Sequence, residues 1–416
     1  MKRFIPNIFI FFFYLGANSQ SIDLQQLEAR FLSENTQLLA AKYEISKKEA
    51  EVIQAKLWAN PTLSISEVNM WSTYRIEEQP YLWGNYGNTQ QIAVELEQLI
   101  ETAGKRRKRA AVKELETKHA VLDFEDLLRS LKKDLRMTYF SLARVIEQQK
   151  EVSKLTSLFE ELQKKYKKQT HLQNLPKADY FRIQSELIEL YKEQATSKTE
   201  EMQLLTKLRL LTHQRQLETH HIDFKLFNAI PEVPTNNIVE IAHEQNLGLK
   251  KQQNKIALAQ SEYKLEKAAR VPDLSVQINY DRGGNIMRDF FGVGVQIDLP
   301  IFNTNKQAIH QASINTKKQQ KLLNYKSHSL DSTIEELLNK LKITRKILSY
   351  NLSEQLNEHL TMADNYYKHL NNKQITLLQF IDFIQAFRDA QNAYLELVEE
   401  YHHDFEELQY LVGKDL

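Results

Sequence analysis

The stretch FFGVGVQIDLPIF, residues 290–302, places Phe291, Val293, Val295, Ile297 and Leu299 on alternate positions, with Gly292, Gly294, Gln296 and Asp298 between them. A period of two is that of a β-strand, so these residues specify one oily face and one polar face. Pro300 closes the pattern, because proline cannot donate to a sheet ladder. Three more segments alternate in the same way: residues 62–68, 91–98 and 273–280. With 291–299 they make four expected strands, close to the length of about 9 to 11 residues that a tilted strand needs to cross a bilayer. Alternation alone equally suits a half-buried antiparallel sheet in a soluble α+β protein.

Outside these strands the chain is written for helices. After Pro6 the prolines are Pro61, Pro80, Pro176, Pro231, Pro234, Pro272 and Pro300, which leaves 81–175, 177–230 and 301–416 without one. Those intervals read as helix outside the strands. Between Val121 and Tyr166 the series Phe124, Leu128, Leu131, Leu135, Leu142, Val145, Val152 and Phe159 keeps close to a seven-residue repeat among charged neighbours. Such a repeat predicts helices wound on one another. A helix from about Lys105 to Thr170 would be roughly 100 Å long, far beyond what a compact domain requires.

The chain repeats its own plan. NPTLSISEV from Asn60 matches VPDLSVQINYD from Val271, with Pro61 and Pro272 211 positions apart. IAVELEQLIETAGKR matches VGVQIDLPIFNTNKQ, with Leu99 and Pro300 201 apart, and the turns NLPKADYF at Asn174 and QITLLQFI at Gln374 resemble each other. Each half reads helix, strand, loop, strand, long helix, turn and returning helix. The expected division is a signal peptide at 1–19, a first repeat at 20–230 and a second at 231–416. The first strand loop, residues 70–88, is the longer one and carries Trp71, Tyr74, Tyr81, Trp83 and Tyr86.

Composition narrows the function classes. With 416 residues, 42% hydrophobic and 26% charged, the chain can bury a large core, and a net charge of +1 gives no support for a nucleic-acid binder. Zero cysteines exclude disulfides, thiolate metal sites and acylated cysteine anchors. The start MKRFIPNIFIFFFYLGANSQ has a basic end, an apolar run to Leu15 and small residues at Ala17 and Ser19, the pattern of a secretory signal. Beyond it no run approaches the ~18 apolar residues of a membrane-spanning helix. A membrane crossing therefore falls to the strands, and four strands cannot close a barrel: unpaired backbone in hydrocarbon costs several kcal/mol per group. Two copies would supply eight strands and a filled interior, three would supply twelve and a channel.

These residues together resemble the outer-membrane efflux proteins related to the TolC channel: the duplicated halves, DLPIFNTNK at Asp298, its counterpart LEQLIETAGKR at Leu96, and the final LQYLVG at Leu408. The glycine and basic run from Gly104 most resembles the branch associated with resistance to cobalt, zinc, cadmium, copper or silver. The resemblance implies a mainly α protein with a membrane β-barrel: a homotrimer sharing one twelve-stranded barrel in outer-membrane lipid, continued into the periplasm by long coiled helical hairpins. It also implies a passive channel that serves an inner-membrane pump through a periplasmic adaptor. Two departures stand out. Leu99 replaces the proline of the second half, and no cysteine is available for lipidation.

Site residues follow from both lines. Glu95, Glu97, Gln277, Asn279, Gln296 and Asp298 lie opposite the oily positions and are expected to line the barrel lumen; the inverted register would exchange the faces. At the second turn the resemblance places the constricting acidic positions at Gln379 and Asp382. A solvated helix-face aspartate is the alternative for Asp382. Leu175, Pro176, Asp179, Thr376 and Leu377 form the expected adaptor-docking tip. No catalytic motif, cofactor loop or metal site is present, since the adjacent pairs His220/His221 and His402/His403 diverge by about 100° on a helix. The run KRRKR from Lys105 is expected near lipid headgroups on the periplasmic side. The competing reading is a periplasmic coiled-coil adaptor or envelope scaffold without a pore.

Overall fold

A computed structural model describes residues 21–66, 81, 83, 91–234, 237–283, 289–350, 362–363 and 365–416. The expected signal segment and most of the aromatic loop at 70–88, Trp71, Tyr74 and Tyr86 included, lie outside the described residues. The chain opens with helices α1 (Leu24–Glu34) and α2 (Thr36–Lys56), then strands β1 (Thr62–Ser66) and β2 (Ile92–Ile100). Helix α3 (Lys105–His171) follows and α4 (Lys177–Thr212) returns along it. The second half repeats the order as α5 (Ile238–Gln245), α6 (Leu247–Ala269), β3 (Leu274–Arg282), β4 (Asp289–Ile297) and α7 (Lys306–Leu348). A helical stretch α8 (365–371) and α9 (Leu377–Val412) complete it. At 67 residues α3 is about 100 Å long, the length expected for a helix from about Lys105 to Thr170.

The strand boundaries differ from those read in the sequence. The fourth strand begins at Asp289 and ends at Ile297, leaving Asp298 and Leu299 outside it, and the third runs on to Arg282. Apolar alternation continues across a strand end, but ladder pairing stops where the partner strand stops. β4 pairs β3 from Arg282↔Asp289 to Leu274↔Ile297, and β3 begins at Leu274. The proline-free interval 177–230 is likewise not helical throughout. Helix α4 ends at His213 in the left-handed region, and 214–230 carries two short 3₁₀ turns, where Ile222 bridges Ile22.

Backbone geometry exposes the duplication more sharply than the side chains do. The paired helices preceding each β-hairpin break at Asn35 and Asn246, again 211 positions apart. Each asparagine caps the following helix through its Oδ1, which accepts from Leu38 N and Leu249 N respectively. Each donates its Nδ2 to a carbonyl at the end of a returning helix, Leu211 at 3.0 Å and Leu411 at 2.7 Å. The long helices start after left-handed residues Gly104 and Asn305, and the returning helices end on left-handed His213 and Gly413.

Apolar side chains collect in three clusters along the bundle. The first joins α1, α3, α4 and α9 around Leu27, Phe31, Leu135, Tyr139, Leu142 and Leu208, all fully buried. The second lies at the turn end between α3, α4, α8 and α9, around Phe159, Ile183 and Phe380, and the third packs α5 and α7 on α9. Of the heptad series, Leu135, Leu142, Val145, Val152 and Phe159 are buried, and Phe124, Leu128 and Leu131 pack partly buried against the first cluster.

Charged groups are also enclosed. Arg136 on α3 donates to Glu28 of α1 at 2.5 Å and to Glu406 of α9 at 3.1 Å, while Lys132 meets Asp415 at 2.6 Å. Burial opposes the guanidinium charge, but the two carboxylates outweigh it and hold Arg136 above its ordinary pKa. His402 is 2% exposed, stacked on Phe140 at 3.8 Å, with Nε2 2.9 Å from the carbonyl of Phe227. Burial pushes its pKa down from 6.5 to about 4, against the pull of that carbonyl.

Two predictions follow from this packing. The unfolded chain takes up the imidazole proton near pH 6.5 and the folded chain only near 4. The stability owed to a neutral His402 is therefore complete above the first value and lost as pH falls toward the second. Relative to His402→Phe, the unfolding free energy of the native protein should fall by about 3 kcal/mol across that window, read by denaturant titration at several pH values. At the helix ends, a Cβ on Gly413 would lie 2.5 Å from the Gln245 carbonyl oxygen at φ +77. Gly413→Ala should cost about 2 to 4 kcal/mol, whereas His213→Gly at the matching position should stabilise by up to about 1 kcal/mol, both read as melting shifts.

Candidate channel surfaces

The four strands form one antiparallel sheet in the order β1-β2-β3-β4. Register assigns every side chain to a face. One face carries the rows Ile65, Val94, Tyr280, Phe291; Leu63, Leu96, Ile278, Val293; and Ile100, Leu274, Ile297. Its side chains are open to the surroundings: Phe291 is 76% exposed, Val293 79%, and Leu63, Ile65 and Val295 all above 60%. In water this exposed apolar sheet would be a strong liability. Polar groups enter the face only near its ends, with Gln98 at one and Arg282 and Asp289 at the other.

The opposite face is polar and partly enclosed. Its central rows are Ser64, Glu95, Asn279, Gly292 and Thr62, Glu97, Gln277, Gly294, followed by Leu99, Ser275, Gln296. Five of the six expected lumen residues thus share one face, and Gln277 Nε2 donates to Gln296 Oε1 at 3.0 Å. Asp298 falls past the end of β4 and has no place in the rows. Asp281 joins the face beside Ala93 and Phe290; the continued alternation from Asn279 to Asp281 was the available signal. Among the described strand residues this face bears the carboxylates Glu95, Glu97 and Asp281 and no basic side chain.

Small residues set the shape of this face. A Cβ on Gly292 would lie 2.8 Å from the Phe290 ring, and one on Gly294 would lie 3.2 Å from Gln277 Oε1. Without side chains, β4 leaves room for the Phe290 ring and the Gln277 amide above its backbone. The outer edges of β1 and β4 have no partner strand among the described residues.

At the far end of the bundle the two turns are built alike. Gln173 and Lys373 both take left-handed backbone, at φ 60 and 58. Asn174 N and Gln374 N each donate to the carbonyl five residues back, at 2.9 Å. Thr376 caps α9, and Gln379 returns the bond: Gln379 N donates to Thr376 Oγ1 at 3.2 Å, and its Oε1 accepts from Thr376 N at 2.9 Å. The side chain of Gln379 is therefore engaged in its own helix start. Asp382 is exposed, and seven residues on Asp389 is exposed on the same helical stripe. Leu175 and Asp179 are half-buried, while Pro176 and Thr376 are exposed helix caps. Leu377 turns inward to the second cluster at 4% exposure, and Leu378 is the outward side chain at 56%.

The two histidine pairs differ: the ring centroids of His220 and His221, in a 3₁₀ turn, lie 4.0 Å apart, whereas His402 and His403 diverge on α9. His402 and His403 each approach a different carbonyl, of Phe227 and Met137. Among the described residues no group of three or more His, Asp or Glu side chains could hold a metal ion, and no helix is long and apolar enough to cross a membrane.

Neither a protein-family model nor a curated protein sequence matches this chain. Solved structures do. CusC, described with its transmembrane channel formation, superposes with a TM-score of 0.73 at 13% identity over 99% of this chain and 97% of its own. The outer-membrane channel CmeC of Campylobacter jejuni gives 0.75 at 14% identity over 94% of this chain and 85% of its own. The open-state outer-membrane channel MtrE of Neisseria gonorrhoeae gives 0.72 at 15% identity over 95% and 90%. This chain thus has the fold of these outer-membrane channels, long helical hairpins joined to a four-stranded sheet.

The turn end generates a paired prediction. Leu377→Ala should cost about 2 to 4 kcal/mol in thermal unfolding, because it empties part of the second cluster. Leu378→Ala should cost less than about 1 kcal/mol.

Proposed function

We propose that this protein is the outer-membrane channel of a tripartite efflux system, a passive conduit from the periplasm or an inner-membrane pump to the outside. The observation that carries the reading is the sheet: an exposed apolar face, a polar face whose charged side chains are all acidic, and two edges unpaired among the described residues. Hydrocarbon tolerates strands only when every backbone group is paired, so β4 of one copy joins β1 of the next until the ring closes. We infer three copies and twelve strands, since eight would fill the interior with side chains. The sequence then divides into an export signal at 1–19 and two repeats meeting near residue 230, with the helical hairpins in the periplasm. The turns at 172–176 and 372–376 form the end that meets a periplasmic adaptor.

Cargo follows from charge. Three copies of Glu95, Glu97 and Asp281 put nine carboxylates inside the barrel without a base among them, a field that concentrates cations and repels anions. With the resemblance to the metal-resistance branch, this favours heavy-metal cations as cargo. At the periplasmic end Asp382 is the constricting carboxylate. Gln379 is assigned to the cap beneath it.

Single-channel recording in planar bilayers tests the whole reading. The native protein should conduct steadily with a cation preference. Glu95→Gln combined with Glu97→Gln should lower the cation-to-anion permeability ratio by roughly threefold, and Asp382→Asn should lower it separately. A soluble monomer that never inserts would overturn the channel and leave the coiled-coil scaffold.

A further inference from the structure

The oily face of the sheet does not stop at the strand ends near Thr62, Ile100, Leu274 and Ile297. Past those ends exposed apolar side chains continue, Trp58 at 61% and Leu299, Ile301 and Phe302 at 69%, 70% and 101%. Tryptophan at the margin of an apolar band marks the level of lipid headgroups. The basic run at the start of α3 lies at this margin, and the structure sorts its members. Lys105 is bound to Asp273 at 2.8 Å, Lys108 donates to the carbonyl of Ala103, and Arg109 pairs with Glu101. Arg106 instead lies over the Trp58 ring, 3.8 Å from its centroid, with Nη1 buried and without a hydrogen-bond partner. Arg107 is exposed and has no ion pair among the described residues.

From this arrangement we propose that Arg106, Arg107 and Trp58 form a binding site for the phosphate of an anionic phospholipid in the periplasmic leaflet, its acyl chains lying along the apolar face. The proposal rests on the membrane placement of the sheet. Charge complementarity and continuity with the lipid-facing surface identify the occupant. A guanidinium resting on an indole can offer its outer N–H groups, those other than the buried Nη1, to phosphate oxygens. Arg270, at the end of α6, and Lys306, at the start of α7, are exposed and add charge of the same sign. The carboxylates of Asp273 and Glu101 are already engaged, and Glu266 accepts from Asn305 Nδ2 at 2.7 Å.

The test uses the full protein carrying Trp71→Phe and Trp83→Phe, so that Trp58 alone reports. Its fluorescence is quenched in mixed micelles by brominated phosphatidylglycerol or brominated phosphatidylcholine. Half-quenching should need about fivefold less of the anionic lipid. That preference should vanish in Arg106→Gln/Arg107→Gln, checked for native oligomer by gel filtration, and in the unmutated protein at about 0.5 M salt. Millimolar inorganic phosphate should not relieve it. Equal quenching by both lipids overturns the headgroup site while leaving the sheet in the membrane. Relief by free phosphate overturns the lipid assignment in favour of a soluble anion. Absence of quenching by either lipid overturns the site and the membrane placement together.

Discussion

The outer edges of β1 and β4, unpaired among the described residues, constrain everything else in this protein. A four-stranded sheet with one exposed apolar face is unstable alone in either solvent: water penalises the oily face, and hydrocarbon penalises the open edges. In the proposed ring of copies each copy would offer the edge that its neighbour lacks, and in lipid both penalties would be removed. The helices would then inherit the ring's geometry. Each strand that leaves the sheet must enter a helix at the same level, and left-handed Gly104 and Asn305 make that turn in both halves.

Duplication is preserved here as backbone hydrogen bonding more than as side-chain identity. Asn35 and Asn246 each hold a helix start with one side-chain atom and a helix end with the other. Such a residue fixes the angle between two elements, and few side chains offer both an acceptor and a donor in so short a reach. The left-handed helix ends tell a related story. His213 and Gly413 occupy the same place in the two halves, yet only at Gly413 does the Gln245 backbone press against the α-carbon. One repeat can therefore accept a side chain where the other cannot.

Charge is used in three different ways along the molecule. In the bundle, Arg136 with Glu28 and Glu406 ties three helices together at a level where leaving one partner unpaired would be costly. In the sheet, Glu95, Glu97 and Asp281 are left without basic neighbours on their face, which suits a conduit and contributes little to packing. At the margin between them, Lys105, Lys108 and Arg109 brace the turn into α3, while Arg106 lies against Trp58 and Arg107 is exposed. Adjacent residues of one basic run thus serve unrelated ends, and nothing in KRRKR itself distinguishes them.

The sequence by itself determined the periodicities. Alternation about Val293 named the strands and their two faces, the heptads from Phe124 to Phe159 named a long coiled helix, and the spacing of Pro61 and Pro272 revealed the repeat. The first two are local properties, written by neighbours two to seven positions apart, and the third compares two such patterns 211 positions apart. Only the tertiary structure decided where β4 stops, that Asp281 belongs to the polar face and Asp298 does not, that Leu377 is buried while Leu378 is not, and that Gln379 is spent on a cap. Each of those depends on a partner far along the chain or on a turn's hydrogen bonds. Ladder pairing and burial are set by what lies opposite a residue, which its sequence neighbours do not encode.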